Sequence, residues 1–201
     1  MKAKHILMAG LFVFFIFTAT EFVDCSDVNK MVEGSSLPKE IKTFVKQVLV
    51  PHSTNATFVK ETAAQNREGT DLDEIKDIDE KWKGAEDELP IQKEKLNNTC
   101  AREIKRIVRE HPEIIECFVM DNQGAVVGEN NLTSDYWQGD EAKWKNSYNN
   151  GRGGIDAGKV KFDRSANAVL QQISLPIIDK DGKVIGAVTY GIDVDKVKKN
   201  Y

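Results

Sequence analysis

Cysteine and histidine are scarce in this chain of 201 residues, and their scarcity excludes several kinds of protein. Three cysteines are too few for a scaffold held together by disulfides. Cys100 and Cys117 can either pair in an oxidising compartment or lie in the core as small apolar side chains, and spacing alone does not decide between the two. No serine or cysteine stands in a nucleophile motif, and the histidines beyond His5, which are His52 and His111, both fall at predicted helix ends. We therefore expect no enzyme.

One enzymatic alternative stays open. Paired carboxylates can hydrolyse glycosidic bonds without a histidine or a nucleophilic serine. It is the weakest of the three hypotheses that the sequence allows. The aspartates that could converge to form such a pair are Asp135, Asp140, Asp163 and Asp193.

A surplus of positive charge is also missing. The formal net charge is −4 and the sequence pI is about 5.5, whereas a protein that binds nucleic acid usually presents a basic face. Acidic residues crowd the stretch 71–88, but no ordered spacing of metal ligands occurs there, so we interpret it as a solvated face. We predict no nucleic-acid partner, no metal and no cofactor.

The longest apolar run lies at the start of the chain. Ile6–Phe17 is almost wholly apolar, follows two lysines, and precedes the small residues Thr18–Thr20. This order is typical of an export signal. Residues 1–23 are thus predicted to be a signal peptide, which places the mature protein in the periplasm or outside the cell. An uncleaved membrane anchor formed by residues 6–23 stays open as the alternative, because about 18 such residues approach the length of a membrane span.

Helix-period patterns and polar breaks divide the rest of the chain. Residues 24–37 are polar and contain a Gly-Ser-Ser stretch, so they are predicted to be a linker. Residues 38–89 are predicted to form three helices, of which the first ends before Pro51. Residues 90–201 are predicted to form the main domain. It opens with one long helix, Pro90–Glu110, whose apolar stripe suits one face of a sheet.

Period-2 patterning predicts a hairpin at the end of the chain. The stretch Ala168–Asp195 reads as two long strands joined by a turn at Asp181-Gly182. Alternation provides one apolar face for helices and one face of small and polar groups, which is either solvated or turned toward a ligand. The apolar face is predicted to carry Val169, Ile173, Leu175, Ile177, Val188, Tyr190 and Ile192. The other face is predicted to carry Gln172, Ser174, Thr189 and Asp193.

A second hairpin repeats the turn of the first. Met120–Gly128 and Ile178–Gly186 both read apolar-Asp-x-x-Gly-x-Val-apolar-Gly. Neither supplies the twelve-residue ligand order of an EF-hand, so we interpret both as turns and not as calcium loops. Ile114–Met120 and Ala125–Val127 are the strands that the earlier turn joins.

Aromatic residues gather in an irregular stretch between the two hairpins. Tyr136, Trp137, Trp144 and Tyr148 lie within thirteen positions, and the spacing of the last three places them on one helical face. Aromatic walls with a few polar groups are typical of small-ligand pockets. The alternative is that these rings merely cover the second face of the sheet, and the two interpretations are compatible.

These features together resemble a known family. Val119-Met120-Asp121 with Gly124, and above all the stretch Ile173–Val194, are similar to the Cache (PDC) extracytoplasmic sensor domain in its single-module form. The resemblance covers about residues 90–201. It implies an α+β fold, with a PAS-like antiparallel sheet and a long N-terminal helix on one face, here preceded by additional helices.

The resemblance also implies a small ligand on the other face of the sheet, such as an amino acid, an amine or a short carboxylate. It places Tyr136 and Trp137 in the pocket roof and Asp193 against the ligand. Strand parity adds polar groups from the sheet, and the aromatic stretch adds further walls. The predicted ligand-binding residues are Tyr136, Trp137, Trp144, Tyr148, Gln172, Ser174, Thr189 and Asp193.

The leading hypothesis is therefore an exported, sensor-type binding module that acts with a separate signalling partner, for example a membrane-bound sensor or receptor. The alternative is a ligand-free scaffold that docks on such a sensor through an exposed apolar patch on residues 38–65. A homodimer formed through the N-terminal helices is a further open alternative.

Overall fold

The computed structural model describes residues 22–163 and 167–201. The predicted export segment therefore lies outside the described residues, apart from Phe22 and Val23. Within the described ranges, helices precede and flank an antiparallel sheet, which confirms the predicted α+β class. No helix in these ranges is both long and apolar enough to cross a membrane.

Residues 22–89 contain four α-helices, which are α1 (Cys25–Gly34), α2 (Lys39–Phe44), α3 (Ala56–Glu68) and α4 (Leu72–Lys83). Between α2 and α3 the chain continues as a π turn, Val45–Leu49, and a 3-10 turn, Val50–Thr54. Pro51 therefore does not end the first predicted helix sharply but lies within the 3-10 turn.

The prediction of a linker at residues 24–37 is wrong, because most of this stretch is α1. Asp24 caps the helix, and its Oδ1 accepts hydrogen bonds from the N–H groups of Ser26 at 2.7 Å and Asp27 at 3.0 Å. Val28 and Val32, one turn apart, are fully buried in the main core. The polar composition concealed this short apolar stripe.

The long helix predicted at Pro90–Glu110 is broken in two, α5 (Pro90–Asn97) and α6 (Thr99–Glu110). Asn98 is extended and caps α6, with its Oδ1 accepting from the N–H of Ala101 at 2.9 Å. Its Nδ2 donates to the carbonyl of Val127 at 2.7 Å. The side chain of Asn98 competes with the helical hydrogen bonds and so ends one helix and begins the next.

The strands of the sheet are β1 (Ile114–Met120), β2 (Val126–Glu129), β3 (Asp156–Ala157), β4 (Lys161–Asp163), β5 (Ala168–Ile178) and β6 (Val184–Asp193). Their order is β2-β1-β6-β5-β3, with β4 also paired to β5, and each of these pairings is antiparallel. This is the PAS-like arrangement that the resemblance implied. Two further helices, α7 (Ala142–Tyr148) and α8 (Val194–Asn200), complete the fold.

The apolar face of β5 and β6 forms the floor of the main core, as predicted. All seven predicted residues except Val169 are buried there, and Val169 packs against the same cluster. Phe44 and Phe58 from the N-terminal helices and Ile104 and Ile107 from α6 belong to this cluster too. The predicted helical segment and the predicted main domain therefore share one core. Cys100 and Cys117 lie in it as free, buried side chains.

The two repeated turns have the same construction in three dimensions. Oδ1 of Asp121 accepts from the N–H groups two and four residues on, at 2.8 and 3.0 Å. Oδ1 of Asp179 accepts from the corresponding pair at 2.9 and 2.9 Å. Gly124 and Gly182 supply the positive φ, at 89° and 75°. The interpretation of both motifs as turns is thus confirmed.

The glycine that closes the later motif brings β6 against its neighbours. A Cβ on Gly186 would collide with the carbonyl oxygen of Met120 and would lie 2.8 Å from Cγ2 of Thr62 on α3. We expect Gly186→Ala to lower the free energy of unfolding by about 2 kcal/mol or more, because backbone atoms must move. Urea denaturation measures this change. Gly34→Ala is the matched control, because no atom lies within 4 Å of its added Cβ and alanine favours the helix. Equal stability of the two variants would contradict the prediction.

The burial of His52 predicts that the folded protein loses stability in acid. Its ring lies 6.0 Å from that of Tyr190 and 6.4 Å from that of His111, centroid to centroid. Burial first, and then the positive charges of His111 and Arg106, lower the pKa of His52 to about 4. The unfolded chain takes up this proton near pH 6.5 and the folded chain does not, so stability is complete above pH 6.5 and falls as the pH drops toward 4.

The loss attributable to His52 is about 2–3 kcal/mol at pH 4. Unfolding free energies of the wild type and His52→Gln, measured from pH 7.5 to 4, isolate it from the other titrating groups. The difference between the two proteins is expected to shrink or reverse toward acid pH. A constant difference over this pH range would show that His52 does not cause the loss of stability in acid.

Candidate functional site

Helix α7 covers one half of the second face of the sheet. The rings of Trp144 and Tyr148 stack at 5.0 Å, and Trp144 packs on Phe118, Met120 and Ala187. Nε1 of Trp144 donates to the carbonyl oxygen of Asp121 at 2.9 Å, which anchors the indole to the β1–β2 turn. Two of the four predicted aromatics therefore form a solid roof over this half.

The polar pair beneath this roof is closed to a ligand. Ser174 and Thr189 are direct partners in the β5–β6 register, are fully buried, and share a hydrogen bond of 2.8 Å between their hydroxyl oxygens. Both hydroxyls satisfy one another, so this part of the face is filled. The open part of the face lies further along the strands.

A cavity of about 270 Å³ lies at that open end. Its floor is made by Glu116 of β1, Gly191 of β6 and Gln172 of β5, which are neighbours across three paired strands. Its rim comes from the chain around β4, where Lys159, Lys161 and Phe162 are exposed.

Gly191 makes room for the carboxylate of Glu116. A Cβ at Gly191 would lie 3.0 Å from both Cβ and Oε2 of Glu116, closer than ordinary contacts. Nε2 of Gln172 lies 3.5 Å from the same Oε2, at the limit of a hydrogen bond. The floor of the cavity is thus a carboxylate with an amide beside it and a bare glycine opposite.

Burial raises the pKa of the Glu116 carboxyl above its ordinary value. The Gln172 amide and the positive charge of Lys143 act in the opposite direction, and Asp163 and Glu141 add to the increase. A carboxylate in such a place gains most from a positive partner, because its own hydration is reduced. The cavity therefore favours a cation at its floor.

A second buried carboxyl lies on the same face. Glu129 pairs with Phe118 in the register of β1 and β2, and its Oε2 accepts from the N–H of Thr133 at 2.9 Å. Burial raises the pKa of Glu129 to about 7. Among the described residues no cluster of three or more His, Cys, Asp or Glu side chains could hold a metal ion.

Tyr136 and Trp137 lie away from this cavity, under α4. The ring of Tyr136 packs at 5.5 Å on that of Trp82. Nε1 of Trp137 donates to the carbonyl oxygen of Gln123 at 2.8 Å, and its backbone N–H donates to Oδ1 of Asp79 at 3.0 Å. Trp137 precedes α7, so the predicted single helical face of Trp137, Trp144 and Tyr148 does not exist; the turn residues before α7 reset the direction of the chain.

The carboxylate of Asp193 caps α8. Its Oδ1 accepts from the N–H groups of Asp195 and Lys196, each at 3.1 Å, and the residue is 7% exposed. The first turn of the helix thus uses the charge that the resemblance assigned to a ligand. Of the eight predicted residues, all within the described part of the chain, Gln172 is the one that lines the cavity.

Sequence reasoning missed Glu116, Gly191 and the β4 rim. A signal for Glu116 was present, since it is the one acidic residue in the otherwise apolar strand Ile-Ile-Glu-Cys-Phe-Val-Met. An acid in such a strand is retained at a cost and points to a partner. The rim could not be found in this way, because Lys159–Asp163 is polar and irregular like many surface loops.

Comparison with known proteins reveals similarity to sensor domains. No family model and no curated protein matches the sequence. Among solved structures, the sensor domain of the V. cholerae histidine kinase DctB is 12% identical to this chain, with a TM-score of 0.45. The match covers 79% of this chain and 52% of the DctB domain. The ligand-binding domain of the Campylobacter jejuni chemoreceptor Tlp3, in complex with L-valine, is 17% identical, with a TM-score of 0.39 over 87% and 62%.

The E. coli DcuS sensor domain is also similar, at 17% identity and a TM-score of 0.33, over 56% of this chain and 83% of that domain. This chain spans about half of the DctB domain and about three fifths of the Tlp3 domain. All three neighbours are named as sensor or ligand-binding domains. The function of this chain is therefore inferred from its own side chains.

Substitution of Asp193 tests its role as a helix cap, as opposed to the role in ligand binding that the resemblance implied. As a cap, Asp193→Asn should keep the stability of the protein, because asparagine caps helices as well as aspartate, whereas Asp193→Ala should cost about 1 kcal/mol. Thermal unfolding of both variants at pH 7 measures this. A stable alanine variant, or equal losses in both, would contradict the capping role.

Proposed function

We propose that this protein is a sensor-type module that binds a small molecule with an ammonium group, an amino acid or an amine, in the cavity floored by Glu116. The observation that carries the proposal is a half-buried carboxylate at the bottom of a small cavity with two lysines at its rim. The ligand's ammonium group pairs with Glu116, and the carboxylate of an amino acid lies near Lys159 and Lys161.

The volume of the cavity supports a small metabolite. About 270 Å³ is of the order of nine waters at ~30 Å³ each, so the cavity suits a ligand of about that many non-hydrogen atoms. This lies below the range of drug-sized pockets, which begins near ~300 Å³. The smaller amino acids, small amines and short acids match this size, whereas an oligosaccharide or a nucleotide is several times larger.

The charges favour an ammonium group over a lone carboxylate. A short carboxylate without an amine can pair with Lys159 and Lys161 at the rim, as the carboxylate of an amino acid does, but it brings no cation to the half-buried Glu116. An ammonium group does, and reduced hydration strengthens its attraction to that carboxylate. We accordingly narrow the three predicted ligand classes to amino acids and amines.

The same proposal includes export of the protein to the periplasm or outside the cell. It also includes a separate, membrane-bound signalling partner. Their support is the apolar leader of the sequence and the likeness of the fold to sensor domains of histidine kinases and chemoreceptors.

The second candidate is an interaction protein without a small ligand. An open, largely apolar groove of about 470 Å³ lies between α3 and the β5–β6 turn, with walls from Ala56, Val59, Ala63 and Ile178. It overlaps the predicted apolar patch at residues 38–65. Grooves of this kind can accept an apolar segment of a partner protein.

A thermal-shift screen separates the two candidates. The twenty amino acids, primary amines and short carboxylates are added one at a time to the purified protein at pH 7.5. The affinity of each compound that raises the melting temperature is then measured by calorimetry. An amino acid or amine should raise the melting temperature, because a ligand that binds only the folded state stabilises it. No response from any compound would leave the interaction protein as the better account.

Glu116→Gln should weaken binding of a hit about 10- to 100-fold, because a charged hydrogen-bond partner contributes about 1.5–3 kcal/mol. The same variant should raise the melting temperature of the ligand-free protein at pH 7.5. The carboxyl's pKa is raised by folding, so the stability due to Glu116 is complete at low pH and is lost as the pH rises through its folded value.

Affinity of the wild type should fall as the pH is lowered through the pKa of Glu116, because the protonated carboxyl no longer attracts a cation. Glu74→Gln, on the exposed surface of α4, is the matched control and should change neither property. Unaltered affinity in Glu116→Gln would overturn the assignment of this cavity.

A further inference from the structure

Leu170 is a large apolar residue in the polar row of β5. Alternation along the strand places it on the same face as Gln172 and Ser174, opposite the row that packs into the main core. Leu170 is half-buried, and it belongs to none of the three hydrophobic clusters formed by the described residues. It does line the cavity floored by Glu116. A leucine in such a place gains most when an apolar surface covers it.

The register places Leu170 between the floor of the cavity and its basic rim. Gln172, in the floor, follows Leu170 on the same face about 7 Å along the strand. Lys161, at the rim, is the direct partner of Leu170 on β4, and the Cβ atoms of such a pair lie about 5 Å apart. A ligand that reaches from Glu116 to Lys161 therefore passes over Leu170.

The rest of the lining offers little other apolar surface. Apart from Leu170 and Phe162, the described residues that line the cavity are glycines and charged or amide residues. Phe162 is 61% exposed and pairs with Val169, which packs against the main core. Because paired residues share a face of the sheet, this register assigns Phe162 to the opposite row. Leu170 is thus the apolar contact that the fold provides inside the cavity.

The volume of the cavity limits what can lie against Leu170. The ammonium group, the α-carbon and the carboxylate of an amino acid take up about five of the roughly nine non-hydrogen atoms that about 270 Å³ can hold. About four atoms are left for the side chain. This is the size of an aliphatic side chain and not of an aromatic one.

We infer that Leu170 determines the specificity of the cavity: it selects amino acids or amines whose uncharged part is apolar and about four carbons long or shorter. This inference rests on the proposed function, which assigns the ligand's ammonium group to Glu116 and leaves its remaining part unassigned. A polar side chain against Leu170 would lose its hydration without gaining a hydrogen bond, so it is disfavoured.

The first test measures chain length and polarity with the wild type. The purified protein is titrated by calorimetry with straight-chain amino acids from glycine to norleucine, and with primary amines from methylamine to pentylamine. In the series that binds, each added methylene should tighten binding about fourfold, until the chain fills the cavity. Asparagine, which resembles leucine in size but is polar, should bind about 10-fold more weakly than leucine or worse.

The second test changes Leu170 itself. Leu170→Ala frees the room of about three carbons, which is about what phenylalanine has in excess of leucine. The affinity for phenylalanine relative to leucine should therefore increase about 10-fold in this variant. Leu170→Asn keeps the volume but is polar, so the preference for leucine over asparagine should fall about 10-fold. Each variant is judged by the ratio of two ligands, because a general loss of stability affects both ligands alike.

Leu132 provides the matched control, since it is 47% exposed and is not part of the cavity lining. Leu132→Ala and Leu132→Asn should leave both ratios at their wild-type values. Circular dichroism and thermal unfolding of every variant show whether it is folded. Because Leu170 belongs to none of the described core clusters, we expect its variants to fold like the wild type.

Failure of this inference differs from failure of the function on which it rests. If no amino acid or amine binds the wild type, both are overturned. If compounds bind, and Glu116→Gln weakens their binding, but affinity does not change along either series or the Leu170 variants keep the wild-type ratios, the role of Leu170 is overturned and the proposed function stands. Shifted ratios in the Leu170 variants, together with unchanged ratios in the Leu132 variants, support the inference.

Discussion

The pairing of β5 with β6 is the constraint on which the rest of the structure depends. Residues 170–178 and 184–193 form a nearly continuous antiparallel ladder, and β1 extends it on the other side of β6. Because side chains alternate strictly along such a ladder, one register places Ile173, Leu175 and Tyr190 under the helices and sends every second residue to the opposite face. A shift by one residue would bury the polar row and expose the core.

The polar face has two unlike halves because its cover is short. Helix α7 has seven residues and spans only part of the strands, so Ser174 and Thr189 are sealed beneath it. Beyond the helix, Gly191 removes a side chain from the floor, and the carboxylate of Glu116 occupies the resulting space. A buried acid reduces stability unless a partner compensates it, and proteins keep such groups where they bind or react. Lys143 in α7 supplies part of this compensation, because its positive charge favours the ionised form of Glu116.

Local signals predicted the elements well where one short-range rule decides the structure. The two Asp-x-x-Gly turns, the alternation of β5 and β6, and the third N-terminal helix, now α4, follow from turn chemistry and periodicity within a few residues. The break at Asn98 and the helix at Cys25–Gly34 did not follow. The first depends on a hydrogen bond to Val127, 29 residues away, and the second on a core that lies far along the chain.

The site shows the same division. Sequence alone indicated the fold class through the resemblance of residues 90–201 to Cache domains. It also determined the apolar face of the sheet and the presence of a polar row with aromatic residues nearby, because these are properties of spacing along the chain. Tertiary structure decided which groups meet: Asp193 turned to a helix terminus, Trp137 went under α4, and Glu116, Gly191 and Gln172 met across three strands. Such a meeting depends on register and on which loop covers which strand, and neither is written in any single segment.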